Sequence, residues 1–253
     1  MSRFICLLIP VLVGSALHAA VVYQNTSTPT GVVNALLPAG QTNSTEHGNT
    51  VTVAGTERIL TNVTVHLRIL GAGVASFNRE LRLYRNDGMD GMPGTLLWAS
   101  GPVFGVIDSG APIPYSFAVP NVVVGGSFIW TIQITNRQTN QAQMGPYEYN
   151  PPTIGSAPFG YWRRTGPGAG DWEFTGVAEA PFGARIDASP CSIPLNGDMN
   201  SDGLANGRDV AEFVQAASIA SSTATHVCAG DFSNDGLINA ADVPALAAAL
   251  LGT

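Results

Sequence analysis

Between residues 21 and 187 hydrophobic positions recur every second residue over short runs, and each run is closed by Gly, Pro, Asn or Asp. Side chains alternate faces along a strand, so this period predicts strands with one buried face. The runs fall at 21–24, 32–37, 50–54, 59–70, 80–85, 95–99, 115–119, 127–135, 160–164, 172–175 and 182–187. The alternation is cleanest at 59–70 and 127–135. No stretch before residue 190 holds helical spacing for three turns. Many short strands with turn-forming breaks predict a mainly β fold, an antiparallel sandwich of jelly-roll type. Val65, Leu67, Leu81, Leu83, Leu97, Phe117, Ile129, Ile132 and Ile186 are its expected core. The stretch 30–55 is polar and reads in part as a long surface loop. Past residue 205 the pattern changes to helical. Val210, Phe213, Val214 and Ala217 lie at i, i+3, i+4 and i+7, and Val243, Leu246, Ala247 and Leu250 repeat that spacing.

Each of these helical runs follows an acidic loop of twelve residues, and the two loops begin 33 residues apart. The first supplies oxygen from Asp198, Asn200, Asp202, Asn206 and Asp209, at positions 1, 3, 5, 9 and 12. The second supplies it from Asp231, Ser233, Asp235, Asn239 and Asp242 at the same positions. Gly203 and Gly236 hold position 6, where the chain must turn sharply. Leu204 and Leu237 hold position 7, which offers a carbonyl. A calcium ion takes six to eight oxygens from this spacing, so two ions are expected.

An EF-hand has a helix on both sides of such a loop. Pro190, Pro194 and Gly197 exclude a helix ahead of the first loop, and residues 225–230 are short and poor in helix formers. Pro244 sits in a first turn, where its missing N–H is tolerated. Position 12 is Asp in both copies, where the EF-hand has Glu. A loop followed by an exit helix, duplicated and ending in Asp, resembles the type I dockerin over residues 193–251. That resemblance implies a small module that plugs a secreted protein into a cohesin-like receptor. It also places receptor contacts at positions 10 and 11, which are Gly207 and Arg208 in one copy and Ala240 and Ala241 in the other. Ala205 departs from the β-branched residue usual at position 8, which Ile238 supplies in the second copy.

Arg3, the apolar run 4–17 and the small pair Ala19 and Ala20 read as a secretory signal peptide over residues 1–20. The run is shorter than the ~18 to 20 residues of a membrane span. The mature protein is expected to be exported, extracellular or attached to the cell surface, with no span of its own. Its domains would be a sandwich at 21–188 and the calcium module at 189–253. In an oxidising compartment Cys191 and Cys228, one ahead of each loop, are expected to pair. The alternative is free or differently paired thiols.

Composition agrees with a loop-rich β protein: 11% charged residues, 45% hydrophobic, 29 Gly and 17 Pro. Every basic side chain other than histidine is arginine. From Ala188 onward there are seven acids against one arginine, and six of the seven are the expected calcium ligands. The acidity is therefore coordination chemistry. With a pI of 4.9 and no basic patch, nucleic acid is not an expected partner. Catalytic patterns are missing: His47, His66 and His226 have no zinc spacing, and no Gly-x-Ser-x-Gly elbow occurs. The stretch 85–91 reads as a surface turn. Tyr147, Tyr149, Phe159, Tyr161, Trp162, Trp172 and Phe174 could stack on sugar rings, although alternating strands more often bury such rings. The leading expectation is a secreted, non-catalytic calcium protein that docks on a cohesin-like or envelope receptor. The alternative is a polysaccharide-binding or polysaccharide-degrading component of an extracellular assembly.

Overall fold

The structure is a computed structural model that describes residues 19–33, 45–70, 74–108, 110–136, 143–165, 171–176, 181–191 and 195–252. Arg3 and the apolar run 4–17 of the expected signal peptide lie outside the described residues.

Two antiparallel sheets form a sandwich. In the first, β4 (Ile59–Leu70) is central. One edge of β4 is taken by β13 (Ala184–Ser189) and, further along, by β10 (Gln143–Tyr149). The other edge is taken by β8 (Ile113–Val123). β1 (Ala20–Asn25) extends the sheet beyond β13, and β2 (Pro29–Val33) extends it beyond β10. The second sheet runs β12 (Glu173–Thr175), β11 (Tyr161–Thr165), β3 (Thr45–Thr52), β9 (Ser127–Thr135) and β5 (Val74–Tyr84). β6 (Leu96–Ala99) and β7 (Val103–Asp108) share the outer edge of β5. From β3 onward the chain changes sheet at most connections, which is the jelly-roll habit.

β4 shows how sequence dictates register. Val63, Val65, Leu67 and Ile69 alternate inward and are buried, while Thr64, His66 and Arg68 point outward. Leu60 is also buried although its parity is opposite. A register shift between Leu60 and Asn62 restores it to the core side. Val65, Leu67, Leu81, Leu83, Phe117, Ile132 and Ile186 lie in the core as expected, and Leu97 packs against it. Ile129 does not. It shares parity with Thr131 and Gln133 on the outer face of β9, where it packs with Tyr84 and Trp162. Ile129 and Ile132 differ by an odd number of residues, so one regular strand cannot aim both inward.

In the polar stretch 30–55, residues 34–44 lie outside the described residues, and the strand expected at 50–54 begins five residues earlier. It is β3, bonded between β11 and β9 and buried along most of its length. Inward-facing Asn49 donates to the Gly160 carbonyl at 2.8 Å and accepts from Phe182 N at 2.8 Å. Outward-facing Glu46 is fully buried beside Arg82, Arg164, Tyr84 and Thr131. Polar side chains with complete partners can be buried at little net cost, and hydrophobic alternation does not report them. At Gly48 the approach is so close that a Cβ would collide with the Trp130 carbonyl, so only glycine fits. β7 and β10 also went unanticipated. β7 carries apolar residues on both parities, and β10 contains Gly145 and Pro146, which read as breaks. The expected turn at 85–91 is present. Asp87 closes it by accepting from Thr95 N and Oγ1, each at 2.7 Å.

The C-terminal part is helical. α1 (Asp209–Ser218) and α3 (Val243–Leu251) are the two expected exit helices, and Pro244 lies in the first turn of α3. Phe213, Ala216 and Leu246 are buried with Met199, Ala229 and Ile238, whereas Val210, Val214 and Val243 face solvent. A third helix, α2 (Ala224–Gly230), overturns the expectation that nothing helical precedes the second loop. Thr223 caps it by accepting from His226 N, and Val227 and Cys228 are buried, so tertiary contacts override weak propensity.

His47 on the inner face of β3 is buried against Tyr161 and Phe182, with Nε2 2.8 Å from Thr45 Oγ1. Burial, reinforced by Arg163, holds its pKa down at about 3, against an ordinary 6.5. Below pH 6.5 the unfolded chain binds a proton that the folded one refuses. Stability is therefore full above that pH and falls as pH drops from 6.5 toward 3. Denaturant melts across this range should show a loss of a few kcal/mol, at about 1.4 kcal/mol per pH unit. In His47→Gln the slope should be shallower by that amount.

Candidate functional site

Both twelve-residue loops fold the same way, because each carboxylate finds the same backbone N–H groups. At position 1, Asp198 accepts from Asp202 N at 3.0 Å and Gly203 N at 2.8 Å. Asp231 accepts from Asp235 N at 3.1 Å and Gly236 N at 2.8 Å. At position 5, Asp202 accepts from Leu204 N and Asp235 from Leu237 N. At position 12, Asp209 accepts from Asn200 N and Asn206 N at 3.1 and 2.8 Å, and Asp242 from Ser233 N and Asn239 N at 2.7 and 2.9 Å. The last carboxylate thus reaches back across its loop and closes it. Asn206 and Asn239 cap the following helical turns by accepting from Arg208 N and Ala241 N.

Backbone conformation repeats as well. Position 4 is left-handed in both copies, with φ of 59° at Ser201 and 61° at Asn234. Position 6 is left-handed at Gly203 and Gly236, which glycine tolerates without strain.

Asp209 and Asp242 are fully buried, and Asp231 is nearly so. Burial raises the Asp231 carboxyl, against the N–H groups of Gly236 and Asp235 that lower it. Neighbouring Asp235 and Asp242 add to the rise. Among the described residues none of these six carboxylates has an arginine or histidine at ion-pair distance. Nor do the described residues contain a group of three or more His, Cys, Asp or Glu placed to hold a metal ion. In each loop the remaining donors are of other kinds: Asn200 and Asn206 amides with the Leu204 carbonyl, or the Ser233 hydroxyl and Asn239 amide with the Leu237 carbonyl. All are hard oxygens, the ligand class that suits calcium and not zinc. Crowded carboxylates with no cationic side chain at ion-pair distance fit such an ion.

Gly207, Arg208, Ala240 and Ala241 are all exposed. The Cys191–Cys228 disulfide is formed, with Cα atoms 5.4 Å apart, and ties the end of the sandwich to α2.

The two loops have different surroundings. A Cβ added to Gly203 would meet nothing within 4 Å, whereas one on Gly236 would lie 2.7 Å from Gly125 N of the sandwich. Arg58, largely buried, donates from Nε to Asn234 Oδ1 at 2.9 Å. Gly126 N donates to the Asn234 carbonyl at 2.9 Å, and Arg85 donates to the Gly236 carbonyl at 3.1 Å. A cleft of about 510 Å³ beside these contacts is walled by Arg58, Asn234, Phe232 and the disulfide. Sequence reading missed this contact, since no local pattern links Arg58 to a residue 176 positions away.

The aromatic residues are dispersed. Tyr161 lies in the sandwich core and Trp162 on the opposite face of β11, packed with Tyr84, Ile129 and Trp172. Tyr147 and Tyr149 are buried, with hydroxyls near Arg68 and His66. Of the seven rings considered for sugar stacking, only Phe159 and Phe174 are substantially exposed. Among the described residues no helix is long and apolar enough to cross a membrane. No protein family matches the chain, and no curated protein matches it at a significant level.

The disulfide closes a ring across a sequence separation of 37. A ring of that size restricts the unfolded chain enough to contribute about 4 kcal/mol in the chain-entropy account. Replacing both cysteines by serine should lower the unfolding free energy of the helical part by roughly 3 to 4 kcal/mol, followed by circular dichroism in denaturant.

Proposed function

We propose that this chain is a secreted, non-catalytic calcium protein whose C-terminal module docks on a cohesin-like or envelope receptor. The observation that carries this reading is the double one: two loops with the same oxygen donors at the same positions and the same internal hydrogen bonds. In the first, Asp198, Asn200, Asp202, the Leu204 carbonyl, Asn206 and Asp209 would hold an ion. In the second, Asp231, Ser233, Asp235, the Leu237 carbonyl, Asn239 and Asp242 would do so. The ion supplies positive charge among three carboxylates that otherwise repel one another, and so its role is structural. The docking half of the reading rests on the dockerin resemblance and on the exposure of Gly207, Arg208, Ala240 and Ala241. Exposed Val210 and Val214, one turn apart on α1, add the apolar area that an interface core requires.

Calorimetric titration of the mature chain should show uptake of two Ca²⁺ ions. Asp209→Ala and Asp242→Ala should each remove one of them. At a calcium concentration one hundred times the dissociation constant, each ion should stabilise the fold by about 2.7 kcal/mol, which a chelator withdraws. The helical signal should melt first and the β signal should persist. Absence of any calcium heat would refute the metal reading. A receptor that is captured from the host envelope equally well with or without calcium would refute its role in docking.

A further inference from the structure

The two loops share one design but not one setting. Loop one is open around Gly203, whereas loop two is seated on the sandwich at the connection between β8 and β9. Three independent contacts hold it there: Arg58 to the Asn234 side chain, Gly126 N to the Asn234 carbonyl, and Arg85 to the Gly236 carbonyl. Arg58 is itself fixed, because its two terminal nitrogens donate to the carbonyls of Glu57 and Gly55 at 2.8 and 3.0 Å. The fit is close on the sandwich side too. A Cβ on Gly125 would come within 2.7 Å of the Asp235 carbonyl carbon, and one on Gly126 within 2.6 Å of the Asn234 side chain. Neither glycine has the left-handed φ that would explain its presence, so lack of space for a side chain is what each position uses.

We propose that loop two is an intramolecular clasp, and that its filling by a divalent cation and its seating on the sandwich are thermodynamically coupled. The metal half of the proposal rests on the calcium reading above; the clasp itself rests on the contacts just described. Asn234, Asp235 and Gly236 are consecutive in loop two. Asn234 binds the sandwich through both its side chain and its carbonyl. Asp235 is a proposed ligand, and Gly236 N is held by the proposed ligand Asp231. Whatever sets the shape of these three residues for a cation also sets it for the sandwich. Coupling of this kind is reciprocal: a seated loop binds its ion more tightly, and a filled loop seats more firmly. In loop one the residue equivalent to Asn234 is Ser201, which among the described residues makes no hydrogen bond to the sandwich.

The test uses the full mature chain with Ca²⁺ as the probe. In Arg58→Ala, calorimetry should show one of the two sites weakened by about fivefold or more, within the usual range of coupling, and the other unchanged. Gly125→Ala, which wedges the loop off the sandwich, should weaken the same site. Amide exchange at Gly126, followed by NMR, gives a second readout. Its protection should fall on chelation and in Asp242→Ala, but persist in Asp209→Ala. Two ions bound with unaltered affinity in both clasp variants, and Gly126 protection indifferent to calcium, would overturn the coupling while leaving the calcium reading intact. No calcium uptake by the unmodified chain would overturn both.

Discussion

An oxygen atom removed from water has to find a hydrogen, and much of this molecule is shaped by that requirement. Glu46, fully buried in the second sheet, is surrounded by arginines, a tyrosine and a threonine. Asn49 bridges the Gly160 carbonyl and the Phe182 amide, and Asn25 donates to the carbonyls of Tyr149 and Pro181. Asn49 and Asn25 reach backbone groups of other segments, whereas Glu46 joins side chains from three other strands. The sandwich edges and their connections are thereby tied together where hydrophobic packing alone would not specify their course.

The same requirement governs the C-terminal part, on a smaller scale. Asp209 and Asp242 are each buried at the end of an acidic loop and accept from two amides of that loop. They thereby set the loop's curvature and the direction in which the next helix starts. The small core of Met199, Phe213, Ile238 and Leu246 forms beneath. A core of this size is marginal without reinforcement, and the Cys191–Cys228 disulfide supplies some.

What could be read from the chain divides along physical lines. β4 and β9 were legible to the residue because one face of each is apolar and the other is not over most of their length. The acidic loops were legible because the residues that close each one lie within twelve positions of one another. The first half of β3 was hidden because its inward positions include His47 and Asn49, and its outward Glu46 is buried by partners from other strands. Likewise α2 is poor in helix formers but gains a cap and a cross-link. Val210 and Val214 keep helical spacing yet face solvent, because Phe213 and Ala216 supply the buried stripe of α1. Arg58 and Asn234 were beyond reach, since nothing near either residue in the chain refers to the other.

The covalent route from sandwich to second loop is short. β13 ends at Ser189; Cys191 follows two residues later and is bonded to Cys228, three residues before Asp231. The loop therefore remains within reach of Arg58 and Gly126 even when their hydrogen bonds break. A tether this short makes re-formation intramolecular at a local concentration in the millimolar range or above. Contacts far too few to join two separate proteins can then keep the halves of one chain together, and each rupture is followed by rapid recapture.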